Sequence, residues 1–209
     1  MNPNLFMDMN SWQFSKAYMP SGDDNGNHTG NSEVVFDMVI INSDDAEKEA
    51  VLAAAKLMIA SARTAPKGHG RDNITASIVI GEDKERLADK LDEIFTSQPN
   101  PERDFSIESN NVRNADAVVL IGAKTDDAMR QPTRLVDLGI AIGSAVKTAS
   151  ILNIDNRVFA TAGRAAIDLK LIDANSAYGI PLSVKGSNIF FDRYDPIKKA
   201  WQQRLPPRK

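Results

Sequence analysis

The seven residues 116–122, D-A-V-V-L-I-G, run apolar without alternation after the leading aspartate. A strand with one wet face alternates polar and apolar side chains; a continuous run is the pattern of a central strand covered on both faces. A chain holding such a strand must supply apolar cover on two sides. That requirement leaves layered architectures built around a sheet.

The remaining periodicity supplies the cover. Residues 34–41 form a β-rich run and read as a strand. Asp44 then has the position of an N-cap, with Glu47 three residues on as a capping-box partner. The helix that follows reaches to about Ala62, with Val51, Leu52, Ala55, Met58 and Ile59 at helical spacing. Residues 74–80 read as a strand ended by Gly81, and 82–95 as an amphipathic helix with Leu87, Leu91 and Ile94 on one face. Pro99 and Pro101 interrupt the chain. Residues 135–152 form a helix in which Gly139 and Gly143, and likewise Ala141, Ala145 and Ala149, lie four apart. That spacing sets small residues along a helix side where a second backbone comes close. Glycine in an exposed helix costs about 1 kcal/mol against alanine, so a close neighbour must offset it. The neighbour is either a second subunit or the core of a monomer. A short strand or turn at 158–161, a helix at 163–171, a strand at 178–184 and a short helix from Pro196 complete the reading. The fold class is α+β, a three-layer sandwich.

Residues 21–32, S-G-D-D-N-G-N-H-T-G-N-S, hold no large apolar side chain and read as disordered or linking sequence. Residues 1–37 are therefore set apart as an extension, and 38–209 as a single domain.

The 209 residues carry a net charge of −3, which is not the basic surplus of a general nucleic-acid binder. There are no cysteines, which excludes disulfides, thiolate zinc sites, thiol nucleophiles and cysteine-ligated iron–sulfur clusters. His28 and His69 are the two histidines, too few for a multi-histidine metal site. No apolar run is long enough for a transmembrane helix and no signal-peptide layout opens the chain, so the expected location is the cytoplasm. No G-x-S-x-G elbow, Walker loop or G-x-G-x-x-G is present. With no catalytic residue to assign and no metal site, such a chain is either not an enzyme or draws its reactivity from a cofactor.

Two basic, glycine-bearing loops remain. Residues 61–74, S-A-R-T-A-P-K-G-H-G-R-D-N-I, bring Arg63, Lys67, His69 and Arg71 together with little side-chain bulk. Such a loop suits phosphate, though basic residues past a helix end also offset its dipole. Residues 185–193, K-G-S-N-I-F-F-D-R, offer Lys185, Asn188 and Arg193. If the loops converge, Lys185 or Arg193 shares a cofactor phosphate with Arg63, Lys67 and Arg71; otherwise Arg193 pairs locally with Asp192. Phe190 and Phe191 are expected in the core.

The blocks S-A-R-T-A-P-K with D-N-I, A-D-A-V-V-L-I-G, V-D-L-G-I-A-I-G-S-A-V, D-N-R and G-I-P-L-S-V-K-G-S-N-I-F-F-D-R, in that order from residue 38 to 193, resemble the ferredoxin-domain-containing proteins of unknown function of bacteria and archaea. That family in turn resembles the flavin-dependent nitroreductases. The resemblance implies an α+β flavoprotein fold, an intertwined homodimer and FMN at the subunit interface. It extends the cofactor-binding set to Arg63, Thr64, Lys67, Arg71, Asn73, Lys185, Asn188 and Arg193. It also exposes a departure. Family members usually carry a cysteine-rich insert before the V-D-L-G-I helix, whereas residues 123–135 here are short and free of cysteine. The leading reading is an FMN-binding oxidoreductase with the flavin as redox centre and a small-molecule substrate or electron donor. The alternatives are a scaffold of the same fold without flavin, and a small phosphate-ligand binding module.

Overall fold

The computed structural model describes residues 40–97, 106–124 and 131–192. The strand expected at 34–41, the extension 1–37, the tail from Pro196 and Arg193 lie outside the described residues, Ile40 and Ile41 excepted.

Helix α1 spans Ser43–Thr64. Its N-cap is Asn42 rather than Asp44: the Asn42 side chain accepts from the Asp45 N–H at 2.9 Å. Glu47 instead receives the Ser43 hydroxyl at 2.6 Å. Asn and Asp cap about equally well, so the choice between two candidates two residues apart falls to the tertiary path of the chain. A 3₁₀ turn at Gly68–Gly70 leads into β1, Ile74–Val79. Helix α2, Gly81–Ser97, buries Leu87, Ala88 and Leu91. Helix α3, Ser106–Asn114, was not legible in the sequence. Then come β2, Ala117–Ala123; α4, Gln131–Ile151; β3, Asp155–Asn156; α5, Ala160–Asp168; and β4, Ser176–Ser183.

The sheet order is β1-β2-β4-β3, with every pairing antiparallel. β2 is central and buried along its whole length, as its apolar run predicts. Alternate side chains feed two cores. Val119 and Ile121 join Met58, Leu138 and Ile180 under α1 and α4; Val118 and Leu120 join Leu87, Leu91 and Phe159 under α2, α3 and α5. The described chain is thus an α+β sandwich of three layers. The expected strand at 158–161 is reduced to a bridge between Phe159 and Gly179, just after the two-residue β3.

The two small-residue series of α4 lie on different faces. Ala141, Ala145 and Ala149 are fully buried in the core shared with α1. Between these helices, the hydroxyls of Ser61 and Ser144 lie 2.7 Å apart. Gly139 and Gly143 face open space, with no atom within 4 Å of where a Cβ would stand. A neighbour for the glycine face is therefore not found within the described chain.

On the other side of the sheet, α5 rests directly on β4. A Cβ on Gly163 would lie 1.8 Å from the Ala177 carbonyl oxygen, and one on Gly179 would lie 2.7 Å from the Ala162 Cβ. Only a glycine allows helix backbone to sit this close to strand backbone. Gly163→Ala is expected to force the two apart and destabilise the fold by about 1–3 kcal/mol, read by urea unfolding. Gly186→Ala, with space around it, should cost nothing in the same assay.

Candidate functional site

The register gathers several segments at one end of the sheet. Ile74 opposes Ala123, and Ala123 opposes Ser176, so the start of β1, the end of β2 and the start of β4 lie together. The loop leaving α1 arrives at the same end, where it meets the first turns of α4. The contact is a buried ion pair. Arg134 and Asp137 are 4% and 3% exposed, and Arg134 Nη1 lies 2.9 Å from Asp137 Oδ2. The other Asp137 oxygen accepts the Gly68 N–H at 2.8 Å. Arg134 Nη1 also donates to the Arg71 carbonyl at 3.0 Å. With its amide oxygen turned toward Arg134, Asn73 accepts from Nε at 2.5 Å. One buried pair thus holds the loop at Gly68, Arg71 and Asn73. Gly68 permits the approach, since a Cβ there would stand 2.9 Å from Thr133 Cγ2.

The loop's own cations divide into two groups. Lys67 turns back onto the end of α1. Its Nζ donates to the carbonyls of Ala62, Arg63 and Ala65, and its side chain is 6% exposed. That is the helix-terminus role of a lysine, satisfying orphan carbonyls and opposing the dipole. Arg63 donates to Asp72 Oδ2 at 2.5 Å and to the Ile74 carbonyl at 2.7 Å, while remaining half exposed. Thr64 is exposed and its hydroxyl donates to the Ser61 carbonyl. Arg71 and His69 are exposed, and among the described residues no partner engages either side chain. His69 takes a left-handed φ of 57° and Gly70 one of 63°, which turns the loop outward between them.

Burial pushes the Asp72 carboxyl upward, but the Arg63 hydrogen bond, the Ile74 N–H and the charges of Arg63 and Lys67 together hold it below its ordinary value of 3.8.

The second basic loop lies elsewhere. β4 ends at Ser183, opposite the start of β2, so residues 185–192 leave from the far end of the sheet. The length of β2 separates the two ends, roughly 20 Å at the rise of an extended strand. Lys185 donates to the Asn114 carbonyl at the end of α3. Asn188 folds its own loop: Oδ1 accepts the N–H groups of Phe190 and Phe191, and its N–H donates to Asp192. The expected convergence of the two loops on one phosphate is therefore not met within a single chain. Phe190 is in the core, but Phe191 is 64% exposed and stacks on Arg157, whose guanidinium is 5.2 Å from its ring centre.

Sequence reasoning missed Arg134 and Asp137 as site residues. The available signal was an arginine and an aspartate three apart in a helix start whose neighbours are apolar. Among the described residues no three His, Asp or Glu side chains are placed to hold a metal ion, and no helix is long and apolar enough to cross a membrane.

The family described as uncharacterized proteins containing a ferredoxin domain matches residues 131–193, the stretch from α4 past β4. An uncharacterized protein of Archaeoglobus fulgidus is 36% identical over 183 residues, covering 74% of this chain and 98% of that relative. Among solved structures, an FMN-dependent nitroreductase from Mycobacterium smegmatis, in complex with NADPH, superposes with a TM-score of 0.52 at 12% identity, over 70% of this chain and 86% of the other. A nitroreductase in complex with FMN from Desulfovibrio desulfuricans gives 0.50 at 14% identity, over 74% and 86%. The fold is thus nitroreductase-like.

Removing one partner of a buried pair strands the other charge. Asp137→Ala is expected to cost about 3–5 kcal/mol and to release Gly68 for amide hydrogen exchange. Asp72 gives the loop an acid limit. Its native pKa lies below the unfolded value, so the unfolded chain takes up the proton first on acidification. Its contribution is full above about pH 4 and disappears as pH falls through the native pKa. Asp72→Asn should flatten the acid limb of a stability–pH curve.

Proposed function

Because this chain belongs to the family of uncharacterized proteins containing a ferredoxin domain, we propose that it is a family member that works without a cluster, an FMN-binding oxidoreductase with the flavin as its redox centre. The absence of cysteine removes the thiolates that would ligate an iron–sulfur cluster. The observation that carries the flavin reading is the braced basic loop at the sheet end, on a fold shared with FMN-bound nitroreductases.

The residues present fit FMN in a particular way. Arg71 and His69, exposed and unengaged, are the groups positioned to meet the phosphate, and the half-exposed Arg63 lies beside them in the loop. Lys67, Thr64 and Asn73 shape the loop through its carbonyls and through Arg134. Bound flavin supplies two-electron redox chemistry that none of the side chains can. The protein's part is to hold the phosphate, orient the ring and leave one face open to a small-molecule substrate or donor.

The exposed face of α4 supports the homodimer. Gly139, Gly143, Val136 and Ile140 form an exposed apolar stripe; in α1, Ala53, Leu57 and Ala60 are exposed as well. A second copy packed on the glycines supplies the close neighbour that their helix cost calls for. With residues 185–192 at the far sheet end, Lys185 and Asn188 serve the flavin only if they come from the partner. The domain is assigned to 38–209, the setting to the cytoplasm, and neither nucleic acid nor membrane is a partner.

A scaffold without flavin is the second reading, favoured by the complete engagement of Lys67 with helix carbonyls. Reconstitution separates the two. Purified protein mixed with FMN and desalted should retain stoichiometric yellow absorbance, and Arg71→Ala should lower that occupancy. Failure to retain flavin under any condition leaves the scaffold. For the dimer, Gly143→Leu should shift sedimentation from two copies to one; a monomeric unmutated protein ends that part of the reading.

A further inference from the structure

A second cleft, distinct from the basic loop, lies along the open edge of β4. β3 covers only Leu182 and Ser183 of that edge. Beyond it a single bridge follows, in which Phe159 and Gly179 exchange both hydrogen bonds, at 2.8 and 2.9 Å. The chain then turns into α5 and leaves the rest of β4 uncovered. Backbone groups of a strand alternate sides. Since Gly179 faces Phe159, the Ala177 N–H two residues earlier points the same way, while its carbonyl lies against Gly163 of α5.

That stretch opens into a cleft of about 320 Å³. One wall is α5, brought against β4 by the missing side chain of Gly163. Arg164 and Asp168 project from that wall, Leu135 of α4 forms an apolar side, and Ser176 and Tyr178 stand on β4. Among the described residues neither the Arg164 nor the Asp168 side chain has a hydrogen bond or ion pair. Arg164 and Asp168 are four apart, neighbours on one helix face, and still do not pair. An arginine placed N-terminal to its acid is the weaker orientation for such a pair. Both charges are left to a visitor.

We propose that this cleft binds a small organic carboxylate that also carries an ammonium group, a free amino acid being the simplest case. The guanidinium of Arg164 takes the carboxylate as a two-pronged donor, and the Ala177 N–H is a further donor at the strand edge. The Asp168 carboxylate takes the ammonium. The volume is at the lower end of ordinary ligand sites, which sets the size of the guest. Nothing in this site involves flavin, so it stands or falls apart from the redox reading.

The test is a titration of the ¹⁵N-labelled full chain with glycine, L-alanine and L-serine, with acetate and methylamine as single-charge controls. Expected are saturable shifts of the Ala177 and Tyr178 amides for at least one amino acid, with a dissociation constant of ~1 mM or below. Arg164→Ala and Asp168→Asn should each weaken that binding by about tenfold or more. Both residues are exposed and unpartnered, so the thermal midpoint should stay put and unfolding cannot mimic the loss. No saturable shift up to ~10 mM for any of the three, acetate binding as tightly as the amino acids, or either variant binding like the unmutated chain overturns the proposal.

Discussion

The buried pair of Arg134 and Asp137 fixes the loop leaving α1 to the first turns of α4. Sixty-nine residues separate Gly68 from Asp137, and the link between them is one backbone N–H on one carboxylate oxygen. A lone buried charge at either position is untenable; together, with Nη1 and Nε of Arg134 and the second Asp137 oxygen turned onto the loop, they are stable and directional. The pair gives a glycine-rich loop one shape that its own sequence does not impose. It also brings the first turn of α4 to the sheet end, so the loop and the helix are set by the same interaction.

Around that anchor the layers follow from small residues placed where backbones must meet. Ala141, Ala145 and Ala149 let α4 lie close on α1 and the sheet, and Gly163 lets α5 lie on β4. Away from these contacts, α2 and α3 are tied by Arg113, which reaches Asp89 at 2.7 Å and Asp92 at 2.6 Å. Hydrogen bonds to both carboxylates raise the pKa of Arg113 above its ordinary value, though partial burial opposes them.

What could be read in advance depended on whether the signal was local. β2 was legible because burial on both faces writes itself into every residue of the strand. α2 was legible because its apolar residues recur at helical spacing. α3 was not: S-I-E-S-N-N-V-R-N has weak helix formers and buries little besides Val112, Ser109 and Asn111. Its helix is held by what it packs on. The glycines of α4 showed spacing but not what faces them, so one stripe was expected where there are two. The cation cluster at 63–71 was plain, yet charge density is the same whether a lysine reaches outward or folds back on its helix. Arg134 and Asp137 escaped notice because their role exists only when residue 68 is beside them.

The placement of the two basic loops at opposite ends of β2 has a consequence for measurement. A ligand that touches both loops must bridge two molecules, since one chain cannot bring them together. Its affinity is then tied to assembly: diluting the protein would strip the ligand even when the ligand itself is held in excess, and adding ligand would draw monomers into pairs. A ligand held by the first loop alone would ignore protein concentration. Occupancy plotted against chain concentration, at fixed free ligand, thus reads the geometry of the sheet directly.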